Sequence, residues 1–313
     1  MRQIIASLAL FLGSALPAAA ADVAQGHHLW SVIAPSGIRS YVAAVSTSAH
    51  PDNLALVKKQ LHAGASVRRT AEFGQSHAIN FASNEWKSKA QHELSPELLS
   101  AIEAELGPAL KSVYKVPPQT VRFMKLDAVR LLLSSDLSDV YARGHSPVQQ
   151  ELTKFQRERS GNLILRPQTE GEIVHMIEQA RLADKRTPAE IISLVLNDRL
   201  EHGAVGTRSR NLFLKGNWKE LRALEPKLFI ASLGVQLENL DRILSISDET
   251  PADQAFSALS DIPTLLMVQG SHLGEDPNLL TLLERRGFEV RPVSLNAIPG
   301  EHTVPDAPRE RRG

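Results

Sequence analysis

Apolar positions run in short alternating or continuous blocks at the two ends of the chain and recur at helical spacing in between. Leu29-Trp30-Ser31-Val32-Ile33 and Tyr41-Val42-Ala43-Ala44-Val45 flank the turn signal Pro35-Ser36-Gly37, which predicts a hairpin. A helix is expected over residues 52–62, and weaker patterns suggest strands at 67–73 and 77–81. Ser95-Pro96-Glu97 reads as an N-cap with proline in the first turn, followed by Leu98, Leu99, Ile102 and Leu106 on one face. Val121, Met124, Leu126, Val129, Leu131, Leu132 and Leu133 predict a buried helix, and residues 146–160 an amphipathic one. A short strand at 163–165 leads into a helix over 169–182. Thr187-Pro188-Ala189-Glu190 carries the capping-box pattern ahead of an apolar run, and further helices are expected over 228–244 and 251–259.

The C-terminal block is the sharpest. Thr264-Leu265-Leu266-Met267-Val268 is a continuous apolar strand of the buried kind. Gln269-Gly270-Ser271-His272-Leu273-Gly274 forms its exit loop, and Asp276-Pro277-Asn278 opens a helix closed by Gly287. Phe288-Glu289-Val290-Arg291-Pro292-Val293 is the last strand. As a β-α-β unit, these two strands are expected to be parallel and adjacent. The fold class is therefore α/β (α+β), with a mixed central sheet built from N- and C-terminal strands and a large helical middle.

The first residues change the picture of where the chain works. Met1-Arg2-Gln3 is basic, residues 4–16 are apolar apart from small residues, and Pro17-Ala18-Ala19-Ala20-Ala21-Asp22 offers an A-x-A-like cleavage site. This is the layout of a secretory signal peptide, and the apolar run is shorter than the roughly 20 residues a membrane anchor needs. The expected organisation is a signal peptide over 1–21, one domain over 22–297 and a proline-rich, charged, disordered tail over 298–313, in a periplasmic or secreted protein. No later segment is apolar enough to cross a membrane. Formal net charge is zero, so the basic face that nucleic acid requires is not expected. Cysteine is absent, which removes disulfides, thiol catalysis and cysteine-ligated zinc.

Two histidines share a local context. His50 follows the second strand after Ser46-Thr47-Ser48-Ala49, and His272 follows the apolar strand after Gln269-Gly270-Ser271. In α/β sheets ligands bind at the carboxyl ends of strands, where small residues such as Gly270 admit a ligand to the backbone. Two imidazoles from two strand ends can hold a divalent metal or serve as acid and base, and a catalytic zinc site has three protein ligands. Asp52, Glu72 and Glu275 are the carboxylates available to complete such a site, whereas a solvated loop histidine is the ordinary alternative. His27-His28 reads as a linker beside the mature N-terminus. No G-x-S-x-G, P-loop, H-E-x-x-H or G-x-G-x-x-G occurs, which removes support for serine hydrolases, nucleotide enzymes and common zincins.

On these residues the chain resembles the TraB/GumN family, which includes the Tiki metalloproteases. Leu29-Trp30, the hairpin and His50 match its opening. Leu265-Leu266-Met267-Val268-Gln269-Gly270-Ser271-His272-Leu273-Gly274, then Leu279-Leu280, Leu282-Leu283, Gly287 and Phe288-Glu289-Val290-Arg291-Pro292-Val293 match its close. Gly216-Asn217 resembles its "GD" before a helix. The departures are specific. Thr47 and Gln269 stand where the family has glycine, Gln168 where it has a glutamate, and Val235-Gln236 where it has an Arg-Asn pair. The resemblance implies metal-dependent, peptidase-like hydrolysis with Mn²⁺, Co²⁺ or Zn²⁺. His50 and His272 would be ligands, and Glu72 a ligand or the general base acting on metal-bound water. Thr47, Gln168, Gln269 and Gly270 would line the binding site. The departures imply the other outcome, a non-catalytic member that binds a peptide or protein partner in the same cleft.

Overall fold

The alternating run at the front of the chain forms the hairpin its pattern predicts. In the computed structural model, which describes residues 25–46, 48, 50–73, 88–135, 146–165, 170–234, 249–275 and 277–295, β1 (Leu29–Ile33) pairs antiparallel with β2 (Arg39–Val45), setting Trp30 opposite Val42. β3 is Arg69–Phe73, β4 Asn162–Leu165, β5 Thr264–Gln269 and β6 Glu289–Pro292. The six strands form one sheet in the order β4-β3-β5-β2-β1-β6. The four from β4 to β2 are parallel, and β1 is antiparallel to both β2 and β6. The mixed α/β sheet expected from the sequence is present, with one strand, β4, drawn in from the helical middle. The expected strand over 77–81 lies outside the described residues.

One expectation is overturned. β5 and β6 run in the same direction but are not neighbours, since β2 and β1 stand between them. Both sides of β5 are occupied, by β2 and β3. The two sequences explain which strand takes the centre. Leu265, Leu266, Met267 and Val268 are all buried, as a strand covered on both faces must be. β6 carries Glu289, Arg291 and Pro292, residues that suit an edge because they discourage further pairing.

The helices are α1 (Pro51–Ala63), α2 (Ala90–Glu93), α3 (Pro96–Ala109), α4 (Leu126–Ser134), α5 (Pro147–Arg157), α6 (Glu170–Ala183), α7 (Pro188–His202), α8 (Val205–Lys215), α9 (Trp218–Leu233), α10 (Glu249–Asp261) and α11 (Leu279–Arg285). Four of them start on proline in the first turn, where its missing N–H costs nothing. Thr187 and Glu190 complete the capping box at α7: each side chain bonds the other residue's backbone N–H.

Strand alternation sorts the core into two layers. Trp30, Val32, Val42, Ala44, Ala71, Leu266 and Val268 face Phe213, Trp218, Leu221, Leu259 and Leu283 from α8 to α11. Leu29, Ala43, Leu265 and Met267 face Val57 and Leu61 of α1 and Val148, Leu152 and Phe155 of α5. A third cluster joins α2, α3, α4 and α7 through Ile102, Leu106, Val129, Leu133 and Ile192.

Two helix readings are corrected. The single helix expected over 121–133 is a 3-10 turn (Pro118–Phe123) followed by α4. Met124 and Lys125 between them are extended, and Lys125 pairs with Lys89. α9 begins ten residues before the expected Leu228, capped by Asn217, whose side chain accepts from the Glu220 N–H. No helix among the described residues is long and apolar enough to cross a membrane.

Candidate functional site

The register of β2 on β5 sets Val45 beside Gln269, so the two parallel strands end together. The chain leaving β2 reaches His50, and the chain leaving β5 turns at once into a 3-10 segment, Gly270–Gly274, that carries His272. Both histidines therefore follow strand ends, as the sequence suggested, and the two strands are hydrogen-bonded neighbours.

His50 is the N-cap of α1. Its Nδ1 accepts the Asp52 N–H at 3.3 Å and lies 3.4 Å from the Asp52 carboxylate. The loop before it is held by Asn53, a fully buried side chain whose Nδ2 donates to Ser46 Oγ and the Ser48 carbonyl. Asn53 Oδ1 is buried with no hydrogen-bond partner.

His272 is fully buried between the 3-10 segment and α9. Its Nδ1 lies 3.6 Å from Glu275 Oε1, and the same oxygen lies 3.5 Å from the guanidinium of Arg222. Arg222 also donates to Glu225, whose carboxylate is hydrogen-bonded to Ser271. Burial pushes the Glu225 carboxyl above its ordinary value, while Ser271, Arg222 and His272 pull it back. The result is a buried polar chain in which α9 supplies one cation and one carboxylate and the strand exit supplies the rest.

The glycines of the segment answer to α9. A Cβ on Gly270 would lie 2.5 Å from the Trp218 ring, and one on Gly274 would lie 2.2 Å from the Trp218 carbonyl oxygen. Gly270 thus makes room for a tryptophan. Gln269 is exposed and extended at φ −68°, so a side chain there is accommodated without strain.

Glu72 lies near the end of β3. It pairs with Met267 in the sheet and so lies on the face covered by α1 and α5. Its carboxylate accepts from Gln156 and Asn162 at 3.3 and 3.1 Å. Thr47, Gln168 and the Val235-Gln236 pair lie outside the described residues. Among the described residues no three His, Asp or Glu side chains gather closely enough to hold a metal. What the structure does bring together is a carboxylate beside each histidine: Asp52 at His50 and Glu275 at His272.

Arg222, Glu225 and Ser271 are missed by the sequence reading. The signal was present: from the Asn217 cap, Trp218, Leu221, Arg222 and Glu225 fall at i, i+3, i+4 and i+7, one buried stripe with two charges in it. His28 is a second omission and corrects the linker reading. It is buried, its Nε2 donates to the Phe213 carbonyl at 2.7 Å, and its ring meets Phe213 and Trp218 edge-on.

His28 has a pH consequence. Burial pushes its imidazole below the ordinary 6.5, against the opposing pull of the Phe213 bond. The unfolded chain then binds a proton that the folded chain refuses, so its contribution is intact above about pH 6.5 and stability falls as pH drops below that value. Urea midpoints measured from pH 7.5 to 5.5 are expected to decline more steeply in wild type than in His28→Gln. Equal slopes would remove His28 as the source.

Comparison with protein-family models, curated proteins and solved structures finds no match to this chain.

Proposed function

We propose that this chain is an exported, TraB/GumN-like protein that performs metal-dependent, peptidase-like hydrolysis at the joined ends of β2 and β5. The observation that carries this reading is the placement of His50 and His272 after two hydrogen-bonded parallel strands, each with a carboxylate within 3.6 Å. The donor chemistry suits a divalent ion of the Mn²⁺, Co²⁺ or Zn²⁺ kind: two imidazoles, and an orphaned buried amide oxygen on Asn53, one turn along from His50. His50 and His272 would hold the ion, and the ion would supply a water acidified for attack on a carbonyl. The chain's own part is positional. The Asp52 N–H orients the His50 ring, Glu275 lies beside His272, Asn53 holds the loop that presents His50, and α9 buries the other end of the site. The signal peptide layout of residues 1–21 supports a periplasmic or secreted location.

A second reading is favoured by different observations. His50 already serves as a helix cap and His272 is buried in a charged network. Those roles fit a non-catalytic member that binds a peptide or protein partner.

Titration calorimetry of the mature protein with Mn²⁺, Co²⁺ and Zn²⁺ separates the two. Stoichiometric binding by wild type, lost in His50→Ala/His272→Ala, is expected, and a peptide-hydrolysis screen then follows. A folded wild type that binds none of the three ions overturns the hydrolase reading and leaves the binding protein.

A further inference from the structure

Helices α1 and α5 cover the same face of the sheet, and a cleft of about 270 Å³ lies between their last turns. Its floor is apolar, built from Leu61 and Phe155. Contacts between the two helices close it at both ends. Lys58 of α1 meets Glu151 of α5 at 3.9 Å at one end. At the other, Arg159 donates to the Phe155 carbonyl at 2.8 Å and to the Ala65 carbonyl, just past α1, at 3.4 Å. Both helices advance in the same direction between these closures, so His62 and Lys154, which also line the cleft, fall between them on opposite walls.

The charge in this cleft is unevenly answered. Arg159 is only 10% exposed and stacks 3.1 Å from the centre of the Phe155 ring. The neighbouring carboxylate of Glu158 is 3.8 Å away and 58% exposed. Arg159 Nε is buried with no hydrogen-bond partner among the described residues. Burial pushes the guanidinium below its ordinary value, against a smaller pull upward from Glu158. Lys154 and His62 form no ion pair among the described residues. A buried donor whose charge is only partly compensated gains most from an acceptor that is itself negative.

We propose that the cleft between α1 and α5 binds a small oxyanion, a carboxylate or a phosphoryl group, held by Lys154, His62 and Arg159 above the apolar floor. Three cations, Lys58, Lys154 and Arg159, face two acids, Glu151 and Glu158, which leaves one positive charge in excess with His62 counted as neutral. Glu151 is already met by Lys58, and Glu158 stands at the exposed rim. Both helices end here, and bare carbonyl ends would repel an anion. Arg159 covers two of those carbonyls and so lowers that penalty. The volume lies just under the usual range for ligand pockets, about 300–1,000 Å³, which suits a small molecule over a peptide segment. The site is separate from the joined ends of β2 and β5. His50 caps the opposite end of α1, about 18 Å from His62 along the helix axis, so the proposal does not depend on the metal reading.

The test uses the full-length mature chain and two probes, inorganic phosphate and acetate, each titrated at constant ionic strength with chloride as the balancing ion. Amide and imidazole NMR shifts are expected to saturate for at least one probe, with Kd on the order of 1 mM. The His62 ring signal, assigned by its loss in His62→Gln, is expected to move with them. Lys154→Gln is expected to weaken binding about tenfold, Lys154→Arg to retain it, and Lys111→Gln, outside the cleft, to leave it unchanged. Saturation by phosphate alone supports a phosphoryl ligand, by acetate alone a carboxylate, and by both a site that accepts either. A linear response to both probes, the behaviour of charge screening, overturns the proposal. So does a saturable response that Lys154→Gln leaves unchanged.

Discussion

Gly274→Ala is expected to cost at least about 3 kcal/mol of folding stability, read as a shift in urea midpoint at unchanged slope. The reason is the wall the new methyl meets. It would sit 2.2 Å from the Trp218 carbonyl oxygen and 2.7 Å from its carbonyl carbon, both backbone atoms at the start of α9. A side chain can swing aside, but a helix start cannot move without dragging its own core. Trp218 is fully buried and meets both Phe213 and His28, so displacing it disturbs the layer between the sheet and α8 to α11. Gly161 supplies the control. Nothing lies within 4 Å of a Cβ built there, and Gly161→Ala is expected to be neutral or to stabilise by up to about 1 kcal/mol through the unfolded chain. Equal behaviour of the two variants would mean that α9 does not rest on the strand exit as described. Under the metal-dependent reading proposed above, Gly274→Ala would also weaken ion binding, because the crowded turn is the one that carries His272.

Arg130→Ala is expected to cost about 3–5 kcal/mol, the range for breaking a buried charge pair from one side. Arg130 is fully buried in the helical layer. It donates to the Ala231 carbonyl at 2.7 Å, in the last turn of α9, and to the Asp127 carboxylate at 2.7 Å, in the first turn of α4. Both bonds complement helix ends: a cation meets exposed carbonyls at one, and the acid it pairs with favours the N-terminus of the other. Truncation leaves a poorly solvated carboxylate and an unanswered carbonyl, while also opening a space the size of the lost stem. The double variant Arg130→Met/Asp127→Leu removes the charges together and fills the volume. It is expected to recover at least half of the loss in equilibrium denaturation. A double variant no better than Arg130→Ala would assign the cost to the lost bond to the Ala231 carbonyl.

These two effects show how the sequence and the fold divide the information. The charge on α4 is visible in the string Leu126-Asp127-Ala128-Val129-Arg130, and its i,i+3 spacing is enough to pair Asp127 with Arg130. That Arg130 also reaches the end of α9, some hundred residues later in the chain, is not in any local pattern. Gly274 likewise reads as a flexible loop residue until α9 is laid against it.

Local chemistry determined a good deal by itself. The hairpin follows from alternation around Pro35-Ser36-Gly37. The helix starts at Ser95, Ser146 and Thr187 follow from a hydroxyl ahead of proline, because the oxygen accepts an otherwise orphaned N–H and proline has none to lose. The buried strand over 264–268 follows from its unbroken apolar run, and the placement of His50 and His272 just past strand ends follows from where those runs stop.

Only the tertiary structure decided which strands adjoin, since pairing partners are chosen by long-range packing and the available edges of β5 went to β2 and β3. It alone turned Glu72 to the α1 and α5 face, where one residue of register selects the side of the sheet. It converted His28 from an apparent linker residue into a core ring by bringing Phe213 and Trp218 to it. And it assembled Arg222, Glu225, Ser271 and Glu275 around His272, because a charge on the buried stripe of a helix finds its partner only when another segment, distant in sequence, is packed against that stripe.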